Sequence, residues 1–436
     1  MKAKIQPKKL EVAVMAIAVL ITPLVCSTVL GSPGDQSVTE KPSEKNAKKS
    51  ARKKPGYHTG GFRIRPSVSI TQRYDDNVFS AATNEVSDWL TEITPKLKID
   101  STWDQHSIRL DTGAHIGRHW NYESENYKDF WVKGDARYEL SSNTNVFGGI
   151  TISRKHEGRD AEDAVLGGSE PTVYHALGGH AGIKTKVGNT TYQFGSTFES
   201  LDYRNVDAGT TLLFNDDRDR DLHSHGFRAT HKLDDQHAVF AQGLYATRDY
   251  DRLLDSDGYH RDSNGHRLAI GAKRNSPDGT RLEGYVGILA QNYDDARFHD
   301  VEKFDFGGKL TVSPAKSTKV TAKLEHALNE TTEPASPGYL VTSLSGKLEH
   351  KISPRLIPYI SGSHVQSDYL QSARQDKTYS GELGIKYFFT PNAYVATGIR
   401  HSQRDSNDAG LTSGSYDYEK NAIFISFTLL GYPLTH

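Results

Sequence analysis

One cysteine, Cys26, is all the thiol chemistry this 436-residue chain possesses. It lies in an N-terminal apolar run, so a chain trimmed behind that run has no disulfide framework and no thiolate metal site. Long apolar stretches are missing as well: past Val25 nothing approaches the ~20 continuous apolar residues of a membrane helix. Only 36% of residues are apolar, and mean hydropathy is −0.62. These scarcities exclude a helical membrane protein but not a membrane barrel, because a spanning strand needs only alternate residues to face lipid. Excess charge of one sign is lacking too, with 53 Lys and Arg against 54 Asp and Glu, and no nucleic-acid partner is implied.

The N-terminus carries Lys2, Lys4, Lys8 and Lys9, then an apolar core from Val12 to Val25, then small residues near Ser27 and Gly31. That layout reads as a secretory signal peptide over residues 1–31, and export follows from it. Val25 stands before Cys26 where a lipoprotein needs a small residue, which argues against lipidation. Residues 32–60 are rich in Pro, Ser, Lys and Glu without periodicity and read as a disordered basic periplasmic linker. Through residue 60 there are 11 Lys and Arg against 4 Asp and Glu, leaving 42 basic and 50 acidic residues beyond it. A basic tail thus precedes an acidic body, and contact with an anionic glycan, lipid or partner is one use for it.

Residues 61–436 are organised around the pattern in Phe130–Leu140. Phe130, Val132, Gly134, Ala136, Tyr138 and Leu140 fall on one parity, and Trp131, Lys133, Asp135, Arg137 and Glu139 on the other. Successive strand side chains point to opposite faces, so one face is apolar and the other charged. The same parity recurs in Ile108–Ile116, Phe304–Val312 and Tyr379–Phe389, less cleanly in Ala238–Arg248 and Ile357–Val365. Short turns at Gly188-Asn189, Asp234-Asp235, Ser276–Gly279, Pro314–Lys316, Ser353-Pro354 and Thr390–Asn392 alternate with longer polar loops. Those loops cover 157–171, 207–221, 253–264, 294–300, 330–338, 370–376 and 406–417. The cadence predicts about 18 antiparallel strands of roughly a dozen residues, an even number with both ends on the short-turn side.

A soluble sandwich also alternates, but a sheet this long without helix or disulfide needs closure to remove its edges. Charges of both signs suit a wet lumen, and Tyr122, Tyr127, Tyr245, Tyr250, Tyr387, Phe388 and Phe389 lie toward strand ends as interfacial girdles do. The expected fold is an all-β, transmembrane up-and-down antiparallel barrel. Its inward parity would carry Arg109, Asp111, Lys133, Asp135, Arg137, Glu139, Lys303, Asp305, Lys323, Glu325, Lys347, Glu349, Glu382 and Lys386 in opposite-sign pairs. They neutralise one another across the wall or set ion and sugar selectivity, and one role does not preclude the other.

Candidate chemistry is thin. Asp216–Asp221 and Asp255–Gly258 are rich in oxygen ligands but lack the spacing and terminal Glu of an EF-hand, and read as exposed loop charge able to bridge lipopolysaccharide through divalent ions. His223 and His225 share a parity but have no third ligand at zinc spacing. His119, His175, His180 and Ser224 could be combined into a barrel hydrolase, yet no nucleophile motif singles one out. No catalytic, cofactor or metal residue is assigned.

Tyr74-Asp75-Asp76-Asn77-Val78-Phe79, followed by Ser87-Asp88-Trp89 and Thr94-Pro95-Lys96-Leu97, resembles the first hairpin of the outer-membrane family called β-barrel porin 2. Members of that family commonly accompany exopolysaccharide or capsule synthesis genes in Gram-negative bacteria. The resemblance implies outer-membrane residence among lipid and lipopolysaccharide, and a pore or scaffold role in extracellular polysaccharide biosynthesis or export, with polysaccharide and export machinery as partners. A general diffusion porin, a surface adhesin and a barrel hydrolase are the alternatives. Its motif residues here are Tyr74, Asp75, Asp76, Asn77, Asp88 and Pro95. Physically, Asp75–Asn77 end a strand, where their side chains bond local backbone in a turn; oxygen ligation of Ca²⁺ or contact with a glycan is the sharper use.

Overall fold

The structure, a computed structural model, describes residues 55–162, 164, 167–331, 333–407 and 416–432. The expected leader and most of the expected linker lie outside those residues. A short strand, β1 (Tyr57–Thr59), within the stretch read as linker, folds back on the first wall strand.

The wall runs through β2 (Phe62–Asp75), β3 (Asp88–Ser101), β4 (Ser107–His119), β5 (Tyr127–Glu139), β6 (Thr144–His156), β7 (Val173–Val187) and β8 (Thr190–Tyr203). After a small hairpin of β9 (Val206–Ala208) and β10 (Thr211–Leu213) it resumes with β11 (Arg220–Lys232), β12 (His237–Tyr250), β13 (Ser263–Asn275) and β14 (Arg281–Tyr293). It continues through β15 (Val301–Ala315), β16 (Thr318–Asn329), β17 (Tyr339–His350), β18 (Leu356–Tyr369), β19 (Gln375–Thr390), β20 (Ala393–Ser406) and β21 (Tyr418–Leu430). Each strand pairs antiparallel with the next, and β2 pairs with β21 from Ser67↔Leu430 to Asp75↔Ala422. The result is a closed 18-strand barrel, so none of the wall strands keeps an open edge to pair with another chain.

Large apolar side chains are exposed on the outer parity: Val132, Ile150, Ile270, Phe304, Leu383 and Ile425 are each between 39% and 65% accessible. In water that would be a liability; against acyl chains it is the required surface. Aromatic rims flank the belt, with Tyr74, Trp89, Trp120 and Tyr379 at the long-loop end and Tyr138, Tyr192, Tyr387 and Phe389 at the short-turn end. Of the aromatics read as girdle, three point inward instead. The Tyr127 hydroxyl donates to Glu92 at 3.0 Å, that of Tyr250 donates to Glu330 at 2.9 Å, and Phe388 is buried. A phenol on the lumenal parity finds a carboxylate there that lipid could not supply.

Along the lumenal side of the seam, hydroxyls pair: Ser69 with Thr428 and Thr71 with Ser426, each at 2.8 Å. Small residues let bulky ones lie against the wall. A Cβ on Gly113 would meet the Trp131 ring at 2.4 Å, and the bare backbone there lets the Trp131 indole donate to Asp111 at 2.9 Å.

Candidate functional site

Thirteen of the expected lumenal residues sit in cross-strand or same-strand charge clusters, which is what inward parity on neighbouring strands dictates. Near the short-turn end Asp100 gathers Arg63, Arg65 and Arg109 at 3.1, 2.5 and 3.0 Å. Lys98 meets Asp111 at 2.5 Å, Lys133 meets Asp135 at 4.0 Å and Arg137 meets Glu139 at 3.2 Å. Glu349 is shared by Lys347 and Lys386, both at 3.2 Å, and Lys323 pairs with Glu325. Higher up, Arg267 meets Asp305 at 2.5 Å and Arg400 meets Glu382 at 2.6 Å. Lys303 shares the parity but is exposed, opposite Leu289.

The family-motif residues turn out to lock the seam and the first loop. Asn77 is fully buried; its amide donates to the carbonyls of Ala81 and Glu419 at 2.8 Å and its own oxygen accepts from Ala81 N–H at 2.9 Å. Asp76 accepts from the backbone and side chain of Asn421 at 2.6 and 2.9 Å. Asp75 caps Asn77 N–H at 3.0 Å and meets Lys420 at 3.2 Å. Asp88 accepts from Trp89, Asn121 and Tyr122. These oxygens are engaged by donors within the chain, so the turn reading fits better than a cation or glycan site. Pro95 stands in β3 opposite Val68, where the β3–β4 register skips from Ile93↔Ile116 to Lys96↔Gly113, so its missing N–H falls at a break in the ladder.

The residues weighed for hydrolysis do not converge. Ser224 is buried against Thr197 at 2.6 Å and His180 lies 3.7 Å from Asp135. His119 lies beside Asp88 at 3.5 Å; His225, weighed for zinc, points outward to Ser196 at 2.8 Å. Among the described residues, His260, Asp262 and Asp294 are the group that could converge on a cation, and there His260 Nε2 is already 2.9 Å from Asp262. The loop charges read as exposed are instead largely engaged. Arg218 donates to Glu157 at 2.9 and 2.6 Å, Asp255 meets Arg261 at 2.5 Å, and Asp217 accepts from Ser256 N–H at 3.0 Å. Arginines confined to a narrow lumen find carboxylates before they find bulk water.

Sequence periodicity gave no sign of the feature that shapes the pore. The loop between β6 and β7 folds into the lumen and crosses it. At its foot Arg159 grips Glu125 at 2.8 and 2.7 Å and Arg218 grips Glu157. At its tip Arg404 donates to the Asp160 carbonyl at 2.7 Å and Ser367 donates to the Glu162 carboxylate at 2.7 Å, 205 residues away on the far wall. Burial opposes ionisation of Asp160, but Lys420, Arg404 and Arg400 outweigh it and hold its carboxyl below the usual carboxylate range. What the loop leaves free is a cavity of about 900 Å³, with Arg73, Glu92, Lys155, Asp160, Arg400 and Lys420 among its lining. Arg73, Arg400, Arg404 and Lys420 each obey the alternation and could have been found by extending it.

A family model described as "Putative beta-barrel porin 2" matches residues 52–429. The chain belongs to that family. No curated protein matches it. Among solved structures it is similar to Pseudomonas aeruginosa OccK2 (OpdF) in complex with glucuronate, at 12% identity and TM-score 0.46, covering 84% of this chain and 98% of that one. P. aeruginosa OpdK with vanillate gives 12%, 0.44, 84% and 98%. The siderophore receptor PirA from the same organism gives 8%, 0.40, 84% and 80%. A member of a porin family with this closed barrel is an outer-membrane channel protein.

Proposed function

We propose that this porin is a passive diffusion channel for small polar solutes, screened by charge where the β6–β7 loop narrows the lumen. The observation that carries the reading is the loop's span from Glu125 to Arg404, which leaves about 900 Å³ of charge-lined space. That volume suits a small molecule, typical sites being ~300–1,000 Å³. An extended polymer needs an uninterrupted tube, so polysaccharide export rests on the family resemblance alone, and it would require the loop to leave. An adhesin reading is weakened because the long loops bond to one another and to the lumen. Outside, the apolar belt meets acyl chains and the rim meets lipopolysaccharide. Planar-bilayer recording of the refolded protein tests the channel: stable ion currents without any glycan are expected, and their absence would overturn it. Loss of matrix polysaccharide on gene deletion, with no currents, would favour the export role.

A further inference from the structure

Glu162 is held the way a bound ligand is held. Its carboxylate accepts from Ser367 Oγ at 2.7 Å and Thr378 Oγ1 at 3.3 Å and lies 3.7 Å from the Arg404 guanidinium. Its backbone carbonyl accepts from the Tyr369 hydroxyl at 2.9 Å and from Arg374 at 3.4 Å. Every donor comes from β18, β19, β20 or the turn between β18 and β19. The wall holds these donors by bonds of its own: Ser367 lies within β18, and Arg374 is anchored by Asp376 at 2.7 Å and Glu333 at 3.0 Å. Arg404 lies against the Tyr418 ring and donates to Thr378 at 3.4 Å. With the loop tip withdrawn, the wall would keep two hydroxyls and a buried cation converging on one point.

We infer that this cradle is a binding site for the carboxylate of a solute in transit, which Glu162 fills as a tethered competitor; the inference rests on the diffusion-channel reading. Leaving Arg404 buried without an anion is costly, so a neutral solute cannot dislodge Glu162 without leaving that cation unpaired. A free carboxylate can, because it takes over the same charge-assisted bonds. The Glu162 side chain is 19% exposed, so the exchange can start from the open lumen. The ligand class is a small organic acid, with sugar acids the natural fit to flanking hydroxyls and phenols.

Single-channel recording with gluconate, and sorbitol as its uncharged counterpart, tests this. In the unmodified protein gluconate should interrupt the current and sorbitol should not. Glu162→Gln keeps the side-chain shape but removes the competing charge, and should lower the half-blocking gluconate concentration about tenfold, the worth of one charge-assisted contact. Ser367→Ala or Thr378→Val in that background should reverse the gain. Equal block by sorbitol, or a gluconate response that Glu162→Gln leaves unmoved, would overturn the site while leaving the channel intact. Absence of current in every variant would instead sink the channel reading and this inference with it.

Discussion

Toward the short-turn end, lumenal charges meet partners on the same strand or within two strands: Glu349 on β17 takes Lys347 beside it and Lys386 two strands on. Toward the loop end the partners lie far apart in sequence, as with Arg218 and Glu157, 61 residues apart, or Arg404 and the Asp160 carbonyl, 244 apart. The lower half is therefore a lined tube whose charges follow from strand parity, and the upper half is a filled one whose charges clamp loops. Wall pairs with a side open to water contribute little to stability. Buried guanidiniums in the upper half cannot lose a partner so cheaply. The lower half should tolerate substitution and tune selectivity; the upper half should decide whether the channel is open.

Removing the obstruction breaks that comparison most severely. Replacing residues 159–168 by a short Gly-Ser bridge should raise single-channel conductance several-fold while the barrel keeps its heat-resistant electrophoretic mobility. Unchanged conductance would mean the loop does not obstruct the pore. Next in size is a defect at the seam. Asn77→Ala removes a fully buried side chain and leaves the carbonyls of Ala81 and Glu419 and the N–H of Ala81, groups water partly reaches, without their partner, at up to about 1–3 kcal/mol for each group left unsatisfied. A marked fall in the denaturant midpoint of the refolded barrel is expected, and a midpoint within error of the parent would show that the seam holds without it.

The wall was legible because one face of each strand must be apolar and the other wet, as Phe130–Glu139 displays. Ala238–Arg248 read poorly because apolar Phe240 and Leu244 point into the lumen, where the Arg228 guanidinium covers the Phe240 ring at 3.7 Å. Charge on the lumenal face was visible in Lys347 and Glu349, but which loop fills the lumen was not. Gly158-Arg159-Asp160-Ala161-Glu162 would be equally soluble projecting outward, and its partners are set by barrel closure, which no local pattern encodes. Asp75–Asn77 was read as a local turn; Asn77 and Asp76 also reach β21, a contact that exists only once the ring shuts.

Acidification should separate the loop's dock from the rim above it. The Asp160 carboxyl is held below its ordinary range in the docked state, so its contribution to docking is complete above the ordinary carboxylate pKa and disappears as pH falls through the lowered value. Asp219, at the loop end next to Arg218, is pushed up to about 6 by burial. Its sign is opposite: ionised at neutral pH it strains the folded rim, and protonation between pH 7 and 5 relieves that strain. Conductance should thus stay level or grow quieter from pH 7 to 5 and rise only below pH ~4, where carboxylates are neutralised. A monotonic rise beginning at pH 7 would contradict the assignment of Asp160 as the docking charge.

The smallest effect belongs to the lower half. Glu349→Gln releases Lys347 and Lys386 together, and both are partly solvated, with side chains 37% and 28% exposed. Water then takes over much of what the carboxylate supplied, and the unfolding midpoint should move by no more than the ~0–1 kcal/mol of an exposed pair. Two unneutralised ammonium groups near the short-turn mouth nonetheless raise the local anion concentration, by an amount that salt screens away. The reversal potential in a KCl gradient should shift toward anion preference at 0.1 M and lose that shift at 1 M. If the shift survived at high salt, the charges in this tube would be coupled to the loop above and the contrast between the halves would fail.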